Sequence, residues 1–232
     1  MKTRAILMYH AVAEKPDPMT IQVTPHRLRQ QLATLRRLGY RGVSMQQLLA
    51  AGDSRSRLVG LTFDDGYADF VENAMPILDE FGFTATVFVV AGQVGGVNDW
   101  DAPPVRRIMD ETDIRAVQRA GHEIGSHGVK HLSMNAICNE EADAELKLSK
   151  NLLEEITGNE INGFCYPYGT LSAYAVTAAR RHYDYACAIF SPEPENRWAI
   201  PRFFVGEDDG PVRLVAKIAL RRWRERMHRG DL

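Results

Sequence analysis

Long hydrophobic runs are missing from this 232-residue chain. No window approaches the ~20 apolar residues that a membrane-spanning helix needs. Near the start only Ala5 to Met8 is continuously apolar, against the roughly 7–15 residues of a secretory core. The chain is therefore expected to be cytoplasmic, with no export signal and no transmembrane segment. Cysteine is scarce as well: Cys138, Cys165 and Cys187 make an odd number with no C-x-x-C pair. That argues against a disulfide framework and fits a reducing compartment. An excess of one charge is lacking, since 28 Lys and Arg face 30 Asp and Glu for a formal net charge of −2. No general attraction to nucleic acid or to an anionic surface follows from that balance. No Gly/Pro/Ser-rich linker, low-complexity tract or short repeat interrupts the sequence, so residues 1–232 are read as a single domain.

What is present is alternation. Near-continuous apolar runs at 5–9, 41–45, 58–63, 84–90, 122–126, 162–166, 184–190 and 199–205 read as strands covered on both faces. Helical patterns lie between them. "PHRLRQQLATLRRLG" opens on Pro25 behind Thr24 and stops at Gly39. "YADFVENAMPILDEFG" puts Phe70, Ala74, Ile77 and Phe81 on one face, with Pro76 expected to kink it. The stretches "DIRAVQRAG", "NEEADAELKLSKNLLEEITG" and "LSAYAVTAARRHY" follow the same logic. The irregular stretch 92–111 reads as a loop over a rim. Strand–helix alternation repeated seven or eight times means a parallel sheet with helices outside. An open sheet binding a dinucleotide should show G-x-G-x-x-G after a strand, and none is present. A closed α/β barrel fits better, for a reason of position.

Every reactive-looking residue falls at the carboxyl end of an expected strand. His10 follows 5–9, Asp64 and Asp65 end 58–63, His127 follows 122–126, and Pro167, Tyr168 and Gly169 follow 162–166. In a β/α barrel those ends open onto one face, where active sites are built. Taken alone, Asp-Asp-Gly is usually a solvated turn, and H-x-x-x-H is often surface decoration. A zincin pattern is excluded because position 128 is Gly. Together they suit a catalytic divalent metal. "HGVKH" offers His127 and His131, one aspartate completes three protein ligands, and the other aspartate remains as a base toward a metal-activated water. Gly66 would permit the turn that lets adjacent aspartates reach one site.

The motifs "TFDDG" (62–66), "SHGVKH" (126–131) and "FCYPYG" (164–169), in this order and spacing, resemble the polysaccharide deacetylases, the NodB-homology or carbohydrate esterase family 4 enzymes. The resemblance runs from "MYHAV" at residue 8 to "PRFFV" ending at 205. It implies a distorted (β/α)7–8 barrel of the NodB-homology type and metal-dependent removal of acetyl groups from sugars. It further implies Asp64 as catalytic base, Asp65, His127 and His131 as metal ligands, and Tyr168 as donor of an oxyanion-holding N–H. Zn²⁺ is the default ion, with Co, Ni, Fe or Mn also suited to the set. No nucleotide cofactor is implied.

Four departures from that family accompany the match. Gly128 stands where Ser or Thr is usual, so a supporting hydrogen bond is expected to be lost. Cys165 stands where an Arg usually steadies the base, and Arg202 in "IPRFF" is the candidate replacement. No late Leu-x-His follows residue 183, and no late Asp-Trp is present. The Tyr-His opening resembles a rearranged branch of the family, in which the N-terminal histidine takes the acid's place, so His10 is the candidate general acid.

The expected activity is N-deacetylation of amino sugars in a poly- or oligosaccharide. A small cytosolic N-acetyl sugar metabolite or a lipid-linked intermediate is the alternative substrate, and a non-catalytic carbohydrate-binding protein the alternative class. The basic stretch 211–230 reads as a last helix with a charged outer face, in preference to a membrane contact.

Overall fold

The computed structural model describes residues 4–14, 21–52, 57–100, 104–189 and 196–219. The chain begins with β1 (Ile6–Tyr9), β2 (Ala11–Val12), β3 (Gln22–Val23) and α1 (Pro25–Arg37). It continues through β4 (Arg41–Val43), α2 (Met45–Ala50), β5 (Leu58–Phe63), a π turn (Phe70–Ala74), α3 (Met75–Phe81), β6 (Thr86–Val89) and α4 (Glu111–Arg119). It ends with β7 (Glu123–Ser126), α5 (Asn139–Thr157), β8 (Gly163–Cys165), α6 (Ala173–His182), β9 (Tyr185–Ala188), β10 (Ile200–Pro201) and β11 (Phe203–Phe204).

The main sheet runs β10-β9-β8-β7-β6-β5-β1-β11, with β4 beside the first half of β5. Its pairings are parallel. Only Arg202 separates β10 from β11. On one side of it Pro201 pairs with Ala188, and on the other Phe203 pairs with Leu7. One interrupted strand therefore bridges the two edges and all but closes the barrel, which answers the unpaired-edge problem of an open sheet. Helices coat the outside. Leu28, Leu32 and Leu35 of α1 pack in one cluster with Leu7, Tyr9, Leu61 and Phe63 of the strands, the buried stripe their spacing predicts.

The barrel interior is a second, smaller cluster containing Ile6, Phe88, Cys165, Tyr185, Cys187 and Ile200. Its large rings are accommodated by small partners. A Cβ at Gly163 would collide with the Tyr185 ring and hydroxyl, and one at Gly125 with the Phe88 ring. Met45 and Leu48 of α2 join the same cluster, so this short helix plugs one end of the barrel.

Several expected boundaries shift for local reasons. The strand expected at 41–45 stops at Val43, because the Ser44 side chain caps α2 by accepting from Gln47 N at 3.3 Å. Pro76, expected to kink its helix, sits at the start of α3 directly after the π turn. Proline has no N–H for the Glu72 carbonyl four residues back, and the ladder changes pitch there. The strand expected at 199–205 is divided by Arg202. The β2–β3 pair was not anticipated. Within 92–111, isolated antiparallel bridges join Tyr67 to Ile108 and Val97 to Arg107, so the rim loop is partly sheet-like. Phe190 and residues 220–230 of the basic tail lie outside the described residues. Among the described residues, no helix is long and apolar enough to cross a membrane.

If the Gly163–Tyr185 contact sets the interior packing, Gly163→Ala should destabilise the protein by about 1–3 kcal/mol through overpacking. A lower urea midpoint at unchanged slope would show it.

Candidate active site

Alternation along β5 turns Gly60, Thr62 and Asp64 inward. Asp65 would then point outward, but its backbone flips to φ 72°, and Gly66 follows at φ 73°. Asp tolerates this left-handed region better than most residues. The flip brings both carboxylates to one place, and each residue is only 3% exposed. Outside glycine, the described residues with positive φ are Asp65, His131 and Tyr168, three of the residues singled out by the sequence motifs.

The structure brings Asp65, His127 and His131 together. Asp65 Oδ1 lies 3.4 Å from Nε2 of each imidazole. Nδ1 of His127 is 2.8 Å from the Cys165 carbonyl oxygen. A carbonyl can only accept, so Nδ1 carries the proton and Nε2 of the neutral ring presents its lone pair toward Asp65. At 3.4 Å these atoms are too far apart for a good hydrogen bond. They have the separation of two ligands on a tetrahedral zinc ion, about 3.3–3.4 Å for bonds of 2.0–2.1 Å. The donor set therefore fits a divalent cation. Burial alone would raise the Asp65 carboxyl, but the two adjoining imidazoles and the charge of His10 hold it well below the usual carboxylate range. Burial likewise disfavours an imidazolium at His127, yet Asp65 and Asp64 outweigh it and raise the ring above its ordinary value. The pocket is arranged to receive positive charge.

Asp64 has different partners. Arg202 grips it with two hydrogen bonds, Nη1 to Oδ1 and Nη2 to Oδ2, both 2.7 Å. The same guanidinium donates to Thr62 Oγ1 at 2.9 Å and to Cys165 Sγ at 2.9 Å. Arg202 thus stands beside the carboxylate that the missing family Arg would steady, reaching it from the closing strand while the short Cys165 side chain leaves it room. Burial pushes Asp64 up, and the Arg202 charge and hydrogen bonds reverse this to a value below the ordinary one. Burial keeps Cys165 a thiol, its pKa well above the usual range.

His10, directly after β1, is near enough that its charge contributes to the ionisation of both aspartates. Its Nδ1 is buried and makes no hydrogen bond within the described residues. Tyr168 packs edge-on against His131 at 4.6 Å, and Trp100 stacks on the same ring at 4.6 Å with an interplanar angle of 27°. Trp100 was not singled out from sequence; an aromatic in the long rim loop was the available signal. A cavity of about 330 Å³, lined by residues such as Gln46, His122, Glu123 and Asn162, lies where β7 and β8 begin and shares no residue with this cluster.

The sequence profile of the polysaccharide deacetylases matches residues 51–186, more than half of the chain. The chain belongs to that family. It is 24% identical over 180 residues to YxkH of Bacillus subtilis, covering 76% of this chain but only 60% of that protein. Over 85 residues it is 38% identical to the poly-beta-1,6-N-acetyl-D-glucosamine N-deacetylase of Escherichia coli K12, a match covering 35% of this chain and 13% of the relative. Two solved structures share the fold. The deacetylase PplD of Streptococcus pyogenes superposes with a TM-score of 0.79 at 23% identity, covering 93% of this chain and 97% of that one. IcaB of Ammonifex degensii superposes at 0.80 and 21%, with the same coverages.

Replacing Arg202 should expose the cost of burying Asp64 alone. Breaking a buried ion pair from one side costs about 3–5 kcal/mol. In Arg202→Gln the desolvation that now loses to the guanidinium would prevail, so the Asp64 carboxyl titrates at higher pH. In the parent protein Asp64, with its lowered pKa, stabilises the fold above the unfolded carboxylate pKa of about 3.9 and loses that contribution as pH falls through the lower folded value. Carboxyl ¹³C NMR titration of both proteins reads the displacement directly.

Proposed function

We propose that the chain is a metal-dependent hydrolase that removes acetyl groups from N-acetylated amino sugars in poly- or oligosaccharides. The observation that carries this reading is the pair of adjacent buried aspartates with separate partners: Asp65 facing two imidazoles at ligand spacing, Asp64 locked to Arg202. A binding protein would need neither the second carboxylate nor its guanidinium.

Asp65, His127 and His131 would hold the ion, Zn²⁺ by default and Co, Ni, Fe or Mn by the same donor chemistry. A divalent cation bound there would polarise the acetyl carbonyl and make water a stronger nucleophile near neutral pH. Asp64, kept ionised by Arg202, accepts the proton of the attacking water. The Tyr168 N–H donates to the developing oxyanion. His10 protonates the amine nitrogen as the C–N bond breaks, because an amine leaves poorly as an anion. Acetate and a free amino sugar result. Trp100 and Tyr168, flanking His131, offer ring faces against which a pyranose can pack. The family membership and the name of the Escherichia coli relative support an N-acetylglucosamine polymer as substrate.

The test is acetate release from β-1,6- and β-1,4-linked N-acetylglucosamine oligomers and from small N-acetyl sugars. Release should stop with a chelator and return with added metal. Asp64→Asn should abolish turnover while metal stays bound, and His10→Ala should slow it by about 10²–10⁴-fold. Chelator-resistant release, or an unchanged rate in Asp64→Asn, would refute the reading.

A further inference from the structure

The candidate ligands His127 and His131 sit on a tight loop in which residue 128 is Gly and offers no side chain of its own. Its backbone lies at φ 83°, a region that a residue with a Cβ rarely adopts. Yet the loop is not loosely held. Gly128 N donates to Ser126 Oγ at 3.3 Å, and Val129 N and Lys130 N both donate to Glu145 Oε2, at 2.7 and 3.1 Å. On the other side, the carbonyls of Gly128 and Val129 accept from the N–H groups of Ala91 and Gly92 at 2.9 and 3.0 Å. Three successive donors and two successive acceptors between the histidines are therefore all engaged.

Glu145 stands out in this set. It lies within α5 on the buried face shared with Ala142, Leu146, Ser149 and Leu153, where an apolar residue would otherwise be expected, and it is only 7% exposed. One turn further along, Ser149 accepts from Ser126 at 2.7 Å. A Cβ added to Gly128 would come within 3.2 Å of Glu145 Oε2. The carboxylate thus occupies the space beside residue 128 that a side chain there would claim. A carboxylate accepting two backbone N–H groups forms charge-assisted bonds, about twice as strong as neutral ones.

We infer that Glu145 is a positioning residue for the metal-binding loop: reaching in from α5, it anchors the Val129 and Lys130 amides beside the side-chain-free Gly128 and holds His127 and His131 at ligand spacing. It touches neither metal nor substrate. The inference rests on the metal-site reading above. Loss of such outer support typically weakens metal binding by about 10–100-fold.

The experiment compares the parent protein with Glu145→Ala and Glu145→Gln by two readouts. One is Zn²⁺ affinity by competition titration. The other is amide hydrogen exchange at Val129 and Lys130 in metal-free protein. Glu145→Ala should lose about 10–100-fold in affinity and exchange both amides faster, while amides of β5 and β6 stay protected. Glu145→Gln keeps an acceptor oxygen and should recover most of both properties. If Glu145→Ala does not fold, Glu145→Asp decides: it keeps the charge but withdraws it by one methylene, and should show the same losses. Parent-like affinity and parent-like exchange in the alanine or aspartate variant would overturn the inference alone. A parent protein that binds no Zn²⁺ would overturn the metal-site reading, and this inference with it.

Discussion

Three potential ligand atoms aimed at one point set the constraint on which this structure depends. Asp65 Oδ1 lies 3.4 Å from Nε2 of both His127 and His131, longer than a good hydrogen bond, and on the neutral His127 ring the Cys165 carbonyl holds the proton on Nδ1, leaving Nε2 with its lone pair. Buried polar atoms in such a relation are costly unless something positive lies between them. The surroundings agree: both aspartates are held ionised, and His127 is pushed toward the charged form. A cation bound there would offset the mutual repulsion and the desolvation penalty together.

The backbone carries part of that cost. Asp65, His131 and Tyr168 occupy left-handed φ, at about 1–3 kcal/mol for each such residue. Strain of this kind persists only where rigid neighbours enforce it. Here the neighbours are strand ends in a nearly closed barrel, together with a loop whose amides are caught by Ser126 and Glu145 and whose carbonyls are caught by Ala91 and Gly92. The 3₁₀ turn Pro167–Gly169 places Tyr168 against His131 in the same way.

What could be read from sequence follows from how local each signal is. The strands at 58–63 and 122–126 were legible because parallel strands covered on both faces are nearly uniform in hydrophobicity, and their ends located Asp64, Asp65 and His127. The helix at 25–37 was legible from Thr24, Pro25 and a leucine stripe. Arg202 could be named as a candidate but not placed, since its reach to Asp64 depends on the segment 200–204 lying between β9 and β1, a closure written nowhere in its own neighbourhood. The plug α2 was invisible for a related reason: Met45 extends the hydrophobic run of β4 and turns away only because Ser44 caps. Glu145 was hidden in a well-formed helix, where an acidic residue on the inner face looks like a flaw in the pattern. Trp100 meets His131 across thirty-one positions of chain, beyond any periodicity.

The adjacency of Asp64 and Asp65 then has a physical meaning. On a regular strand, adjacent side chains would face opposite sides of the sheet. The backbone reversal at Asp65 instead brings both carboxylates to one place, where one faces two imidazoles and the other stays inside the barrel with Arg202. A guanidinium that holds both oxygens of Asp64 at 2.7 Å fixes its orientation and keeps it charged, whereas Asp65 Oδ1 lies 3.4 Å from each of two ring nitrogens. Because Arg202 belongs to the strand that closes the barrel, the ionisation of Asp64 and the closure of the fold are coupled. A sequence change that loosened the 200–204 segment would reach Asp64 without touching Asp65, His127 or His131.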